Sequence, residues 1–454
     1  MKMKQAFLAV PLSFSLLIPT FSVVSADDHG SHGNAHMSAE VSNPAIDLRA
    51  SLDAILSEHA FLAVVAMQKG IDGKEDFEAA AGQLNQNTEK LSAAVASVYG
   101  EEAGAQFKEI WSSHIGYFVD YVTATAENNE EGRKQALAEL DGYRVKQADL
   151  LDKATEGRLK AKDLEEGLKV HVDQLIWAFE SYRTGDYDKA YDSISESMHH
   201  MFGTSKGLSW AITDQFPEKF ENKSVDTPAA DLRSDLNSVF SAHAALAALT
   251  MQKGIDGAKD FEAAAKELGE NTDDITAAVE SVYGAEGAAK FKEIWSSHIG
   301  YFVDYVTATA EKNEEGKKQA VAELDEYRVQ QAAFLDAATE GRLKAAELEE
   351  GLKVHVDQLL MAFNSYTGKD YPTAYKSISE AYGHMFGVGQ AMSGAIVDQF
   401  PEKFAGEKPS EMPKTGMGGM SQTNNDAILW SLFGLILASV TAAMIVRKKA
   451  TNNE

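Results

Sequence analysis

The chain has 454 residues, with 42 Lys and Arg against 69 Asp and Glu, a net charge of −27, no cysteine and nine prolines. Without cysteine there is no disulfide framework, thiolate metal site, cysteine nucleophile or iron–sulfur cluster. The acidic balance excludes nucleic acid as the main partner, since phosphate binding needs a basic surface, and an apolar content of 44% is too high for a wholly disordered chain.

Residues 1–26 read as a secretory signal peptide. Lys2 and Lys4 supply positive charge, and Ala6 to Val24 is apolar but broken by Pro11 and Pro19. Val24-Ser25-Ala26 then offers small residues before a cleavage between Ala26 and Asp27. Residues 27–46 follow as a polar segment carrying His29, His32 and His36, which is expected to be disordered and suits loose capture of copper or zinc.

The middle of the chain is one unit written twice. Residues 47–220 align with 231–404 at a constant offset of 184, without a gap, and most positions match. Phe107 to Tyr117 recurs unchanged as Phe291 to Tyr301, and Gly167 to Leu175 as Gly351 to Leu359. This is duplication of a whole domain and not a short solenoid repeat. Each unit reads as all-helical, because apolar residues recur at spacings of three and four: Leu52, Ile55, Leu56, His59, Leu62 and Ala66 on the first helix. Six helices are predicted per unit: 46–69, 74–98, 101–127, 130–156, 160–184 and 186–215, each bounded by glycine or Asn/Asp clusters. The expected architecture is two tandem helical bundles joined by a short polar linker, 221–230.

Residues 405–426 contain Met412-Pro413-Lys414-Thr415-Gly416 and a polar spacer. Ala427 to Val446 is a run of 20 residues without charge, long enough to form a transmembrane helix. Arg447, Lys448 and Lys449 open a cytoplasmic basic tail, 447–454. These ordered features resemble the cell-wall sorting signal of Gram-positive surface proteins, Leu-Pro-x-Thr-Gly followed by an apolar segment and a basic tail, with Met412 in place of the leucine. The resemblance implies recognition by a sortase, cleavage between Thr415 and Gly416, and attachment of Thr415 to peptidoglycan at the cell surface. The membrane would be a partner only before sorting. Residues 27–416 then carry 37 basic and 67 acidic residues, a net charge of −30.

Candidate ligands lie in the repeats. Four histidines are matched between units: His59 with His243, His114 with His298, His171 with His355, and His200 with His384. Each of the four falls on a separate predicted helix, and imidazoles pointing from several helices into one bundle can hold copper, iron or haem. Met67, Met201, Met251 and Met385 could add thioether ligands, and Glu196 and Glu380 stand four residues before His200 and His384. Gly116, Gly167 and Gly203 near these histidines would leave room for a flat haem. Against this, a histidine on an apolar face is commonly a hydrogen-bonded core residue.

The repeats also resemble a group of exported helical-bundle proteins of Gram-positive bacteria, some bearing a copper amine oxidase label. That enzyme's tyrosine lies in an Asn-Tyr-Asp/Glu context absent here, so the activity does not carry over. No Gly-x-Ser-x-Gly, phosphate-cradling loop or His-Glu-x-x-His occurs, and no catalytic residue is assigned. The leading expectation is a wall-anchored protein that binds a metal ion or haem. A non-catalytic adhesin or stalk with a host or cell-surface ligand, and a metal-dependent redox enzyme, are the alternatives.

Overall fold

Helix α1 (Pro44–Ile71) sets the plan of the molecule. The Asn43 side chain accepts hydrogen bonds from the Ala45 and Ile46 amides, and Pro44 occupies the first turn, where its missing N–H is harmless. Every residue from Leu56 to Lys69 is buried. A helix that is apolar around its whole circumference must be enclosed on all sides. By length and composition α1 could cross a membrane, yet 83% of its most apolar window is buried inside the protein.

The computed structural model describes residues 40–405. The signal cleavage at Ala26 and Asp27, the histidine tract, Thr415 and Gly416, and the segments 427–446 and 447–454 lie outside the described residues. Within them the chain is all-helical and no strand occurs. After α1 come α2 (Phe77–Tyr99), α3 (Glu101–Ala126), α4 (Glu130–Ala154), α5 (Ala161–Thr184) and α6 (Tyr187–Gln215), then a 3-10 turn (Pro217–Phe220). The order repeats as α7 (Pro228–Ile255), α8 (Phe261–Ala310), α9 (Glu314–Ala338), α10 (Ala345–Thr367) and α11 (Tyr371–Gln399), followed by one turn, α12 (Pro401–Phe404).

Several boundaries differ from expectation. Helix α1 starts at Pro44, inside the segment 27–46 expected to be disordered, because Asn43 caps it and Ala45 and Ile46 are buried. The second helix begins at Phe77 instead of 74, because the chain turns at Gly73 with φ +60°. The counterparts of α2 and α3 run together as α8, kinked at Gly284 where φ is +75°, whereas Gly100 with φ +93° separates the first pair. At the linker, Thr227 caps α7 through the Ala230 amide, so the helix starts at Pro228, and Val225 is buried.

The two halves interlock. α1 touches α7, α6 packs on α8, and α11 packs on α2. The contacts are reciprocal, as in a two-fold interface where residue i meets j and j meets i. Arg49 pairs with Asp231 at 2.7 Å, and Arg233 pairs with Asp47. Lys69 pairs with Asp76, and Lys253 with Asp260, both at 2.7 Å and both buried. Tyr375 donates to Asp76 and Tyr191 to Asp260. Phe202 and Phe386 stack with their planes 2° apart.

A buried ion pair that loses one member strands the other, which costs about 3–5 kcal/mol. Asp76→Ala leaves the Lys69 ammonium buried beside Tyr366 and removes the acceptor of Tyr375. The urea unfolding free energy of this variant is expected to fall by about that amount, and a drop under about 1 kcal/mol would contradict the role given to the pair.

Candidate metal centre

On α3, Phe107, Trp111, His114, Phe118 and Tyr121 recur at spacings of four and three, so they form one buried stripe; its rings meet His59 of α1, Tyr143 of α4, and His171 and Phe179 of α5. Glu101 and Glu102 in the first turn suit the helix N-terminus. α5 presents Leu164, Gly167, His171 and Leu175 on its own buried stripe. His59 stands midway along α1. The three helices thus deliver three imidazoles to one point in the core.

His59, His114 and His171 each bring a ring nitrogen to within 4.8 Å of the others, and so do His243, His298 and His355 in the second half. The Nε2 atoms of His59 and His114 are 3.3 Å apart, and those of His243 and His298 are 3.2 Å apart. Two nitrogens each about 2.0–2.1 Å from one tetrahedral ion would be separated by about 3.3 Å. The Nδ1 atom of His114 bonds to the Trp111 carbonyl, and His298 does the same to Trp295. A carbonyl can only accept, so Nδ1 carries the proton and the Nε2 lone pair faces the cluster.

Tyr143 on α4 stacks on His114 with ring centroids 4.5 Å apart, and Tyr327 on α9 does so on His298. One turn further along, Gln147 and Gln331 are fully buried. Around the first cluster, His59 Nδ1, both nitrogens of His171, Trp111 Nε1, the Tyr143 hydroxyl and both amide atoms of Gln147 have no partner among the described residues. The same atoms of His243, His355, Trp295, Tyr327 and Gln331 are orphaned in the second half. Each unmet buried group costs about 1–3 kcal/mol. Seven such atoms gather around each triad, more than at any other single point given for the described residues.

Burial holds the imidazoles uncharged. It pushes His59 and His171 well below the usual histidine range, helped by the neighbouring histidines. His243 and His355 behave alike. His114 and His298 are pushed down to about 4 by burial, against the opposing pull of the Trp111 and Trp295 carbonyls. Neutral imidazole is the form that binds metal.

The remaining sequence candidates separate from this group. His200 Nε2 lies 3.2 Å from the Gly167 carbonyl and His384 Nε2 3.0 Å from that of Gly351, outside the two triads. Glu196 and Glu380 are exposed, and Glu380 pairs with Lys376. They share a helix with His200 and His384 but lie on its solvent side. Met67, Met201, Met251 and Met385 are all buried. Met67 lines a cavity of about 770 Å³ between α1, α2 and α3 that reaches His59 and His114 and includes the exposed Lys74, Glu78 and Glu127. Gly116 lines it too, but a Cβ there would meet nothing within 4 Å, so the glycine is not demanded by crowding. Compared with family models, curated proteins and solved structures, the chain matches none.

Tyr143 and Gln147 were not among the sequence candidates. Their signal was present as a pair four residues apart on one helix face, repeated as Tyr327 and Gln331.

The six cluster histidines make folding pH-dependent. Their folded pKa values lie below the ordinary 6.5 or so of an unfolded chain, so the unfolded state takes up protons first. Stability is therefore complete above about pH 6.5 and is lost as the pH falls from there towards 4, at up to about 1.4 kcal/mol per pH unit for each histidine. Urea midpoints of metal-free protein between pH 7 and 4.5 should trace that fall, with a shallower slope in His171→Leu. Equal slopes would show that this imidazole is already charged or solvated.

Proposed function

We propose that each half binds one copper(I) ion through its three buried histidines, in a protein exported and anchored at the cell wall. The observation that carries this reading is the convergence of three neutral imidazoles amid orphaned polar atoms, repeated in both halves. No carboxylate belongs to either triad. The cost of burying an ion grows with the square of its charge, so a neutral, enclosed ligand set favours a singly charged ion over a doubly charged one. Imidazole suits copper, and Met67 and Met201, which line cavities that also reach His59 and His171, carry thioethers of a kind that copper(I) accepts.

Haem fits less well. Two axial nitrogens on opposite faces of one iron would stand about 4 Å apart with the macrocycle between them. His59 and His114 are closer than that, and His171 completes a group that surrounds a point. The ligand class narrows from metal or haem to a bare ion.

The test is an anaerobic titration of residues 27–416 with copper(I) against a competing chromogenic chelator. The expected uptake is two ions per chain, falling to one in His114→Ala and to none in His114→Ala/His298→Ala, with helical circular dichroism retained. No tight uptake by the wild type would end the proposal. Zinc(II) binding as tight as copper(I) would overturn the charge argument.

A further inference from the structure

The first half has a second cavity, on the far side of the triad from the one at His59. It measures about 110 Å³ and no charged residue lines it. Its walls are leucine, valine and alanine side chains from several helices, and at its polar end stand Trp111, Gln147 and His171. Gln147 is wholly buried, and neither of its amide atoms nor Trp111 Nε1 has a partner among the described residues. A buried amide with both donors and its acceptor unmet is poised for a ligand that can give and take a hydrogen bond.

The two halves diverge at this point. Leu56, Leu150 and Leu208 line the cavity in the first half, where the second half has Phe240, Phe334 and Met392. Phe240 lies 6.1 Å from Trp295, and Phe334 lies 6.3 Å from Phe291. The larger rings leave less room at the corresponding place in the second half, while Trp295, Gln331 and His355 remain. The first half therefore keeps the same polar end but substitutes smaller side chains along the walls. A cavity of this size lowers the stability of a core unless something fills it.

We propose that the first half binds a small neutral organic molecule in this cavity. The ligand class is a compound of about four carbon atoms with one hydroxyl or carbonyl group, since the cavity is smaller than the ~150 Å³ that accepts benzene. Its apolar part lies among the leucines, and its oxygen meets the Gln147 amide and the Trp111 indole N–H. A carboxylate or ammonium is rejected because no side chain of opposite charge lines the walls. Copper is not required for this site.

The test is calorimetric titration of chelator-treated residues 27–416 with 1-butanol, and with butanoate as the charged counterpart. The expected result is saturable binding of one butanol per chain, with butanoate at least tenfold weaker. Leu56→Phe/Leu150→Phe, which installs the residues of the second half, should abolish butanol binding and leave copper(I) uptake at two ions. Gln147→Leu should weaken butanol at least tenfold. Phe240→Leu/Phe334→Leu should raise the stoichiometry to two. Butanol binding that is absent in the wild type, that survives Leu56→Phe/Leu150→Phe, or that butanoate equals overturns the proposal. Because copper uptake is read separately, loss of one reading leaves the other standing.

Discussion

Everything in this molecule depends on burying α1 and its counterpart α7 on all sides. Neither helix has a face that suits water over its central turns. α1 is packed by α2, α3, α5 and α6 of its own half and by α7 and α11 of the other. A single bundle can cover part of such a helix, and the second half supplies the rest. The duplication thereby becomes a structural device: each copy completes the enclosure of the other's central helix.

That enclosure forces a choice on every polar residue of α1. On the side facing the other half, Arg49 meets Asp231, and Lys69, paired with Asp76 of its own half, donates to the Tyr366 hydroxyl. Asp53, pushed up to about 7 by burial, receives the hydroxyl of Ser234. The two Arg–Asp and the two Lys–Asp pairs are matched between the halves, whereas the positions equivalent to Asp53 and Ser234 are Asn237 and Ala50. On the side facing its own half, His59 meets only other imidazoles and an indole.

The two halves have not stayed equal. The triads, the stacked tyrosines and the buried glutamines are retained in both, and so are the Lys–Asp–Tyr contacts of the interface. Among the differences, the first half has leucine at 56 and 150, lining one cavity with Trp111 and Gln147, where the second half has Phe240 and Phe334.

The sequence by itself determined the helices and the repeat. Three-and-four spacing and glycine punctuation are local signals, and the helices fall within a few residues of where those signals put them. It also pointed to His59, His114 and His171, since a histidine on an apolar stripe must turn inward. It placed His200 on the flank of its stripe, beside Met201, but could not tell that its Nε2 meets the Gly167 carbonyl of a neighbouring helix. Nor could it tell that Glu196 faces solvent, or that Tyr143 and Gln147 close the cluster from α4. The tertiary structure alone decided those points, and with them the interlocking of the halves across a linker that reads as a simple tether. The physical reason is range: helix formation is governed by neighbours a turn away, while ligand convergence and interface pairing join residues tens to hundreds of positions apart.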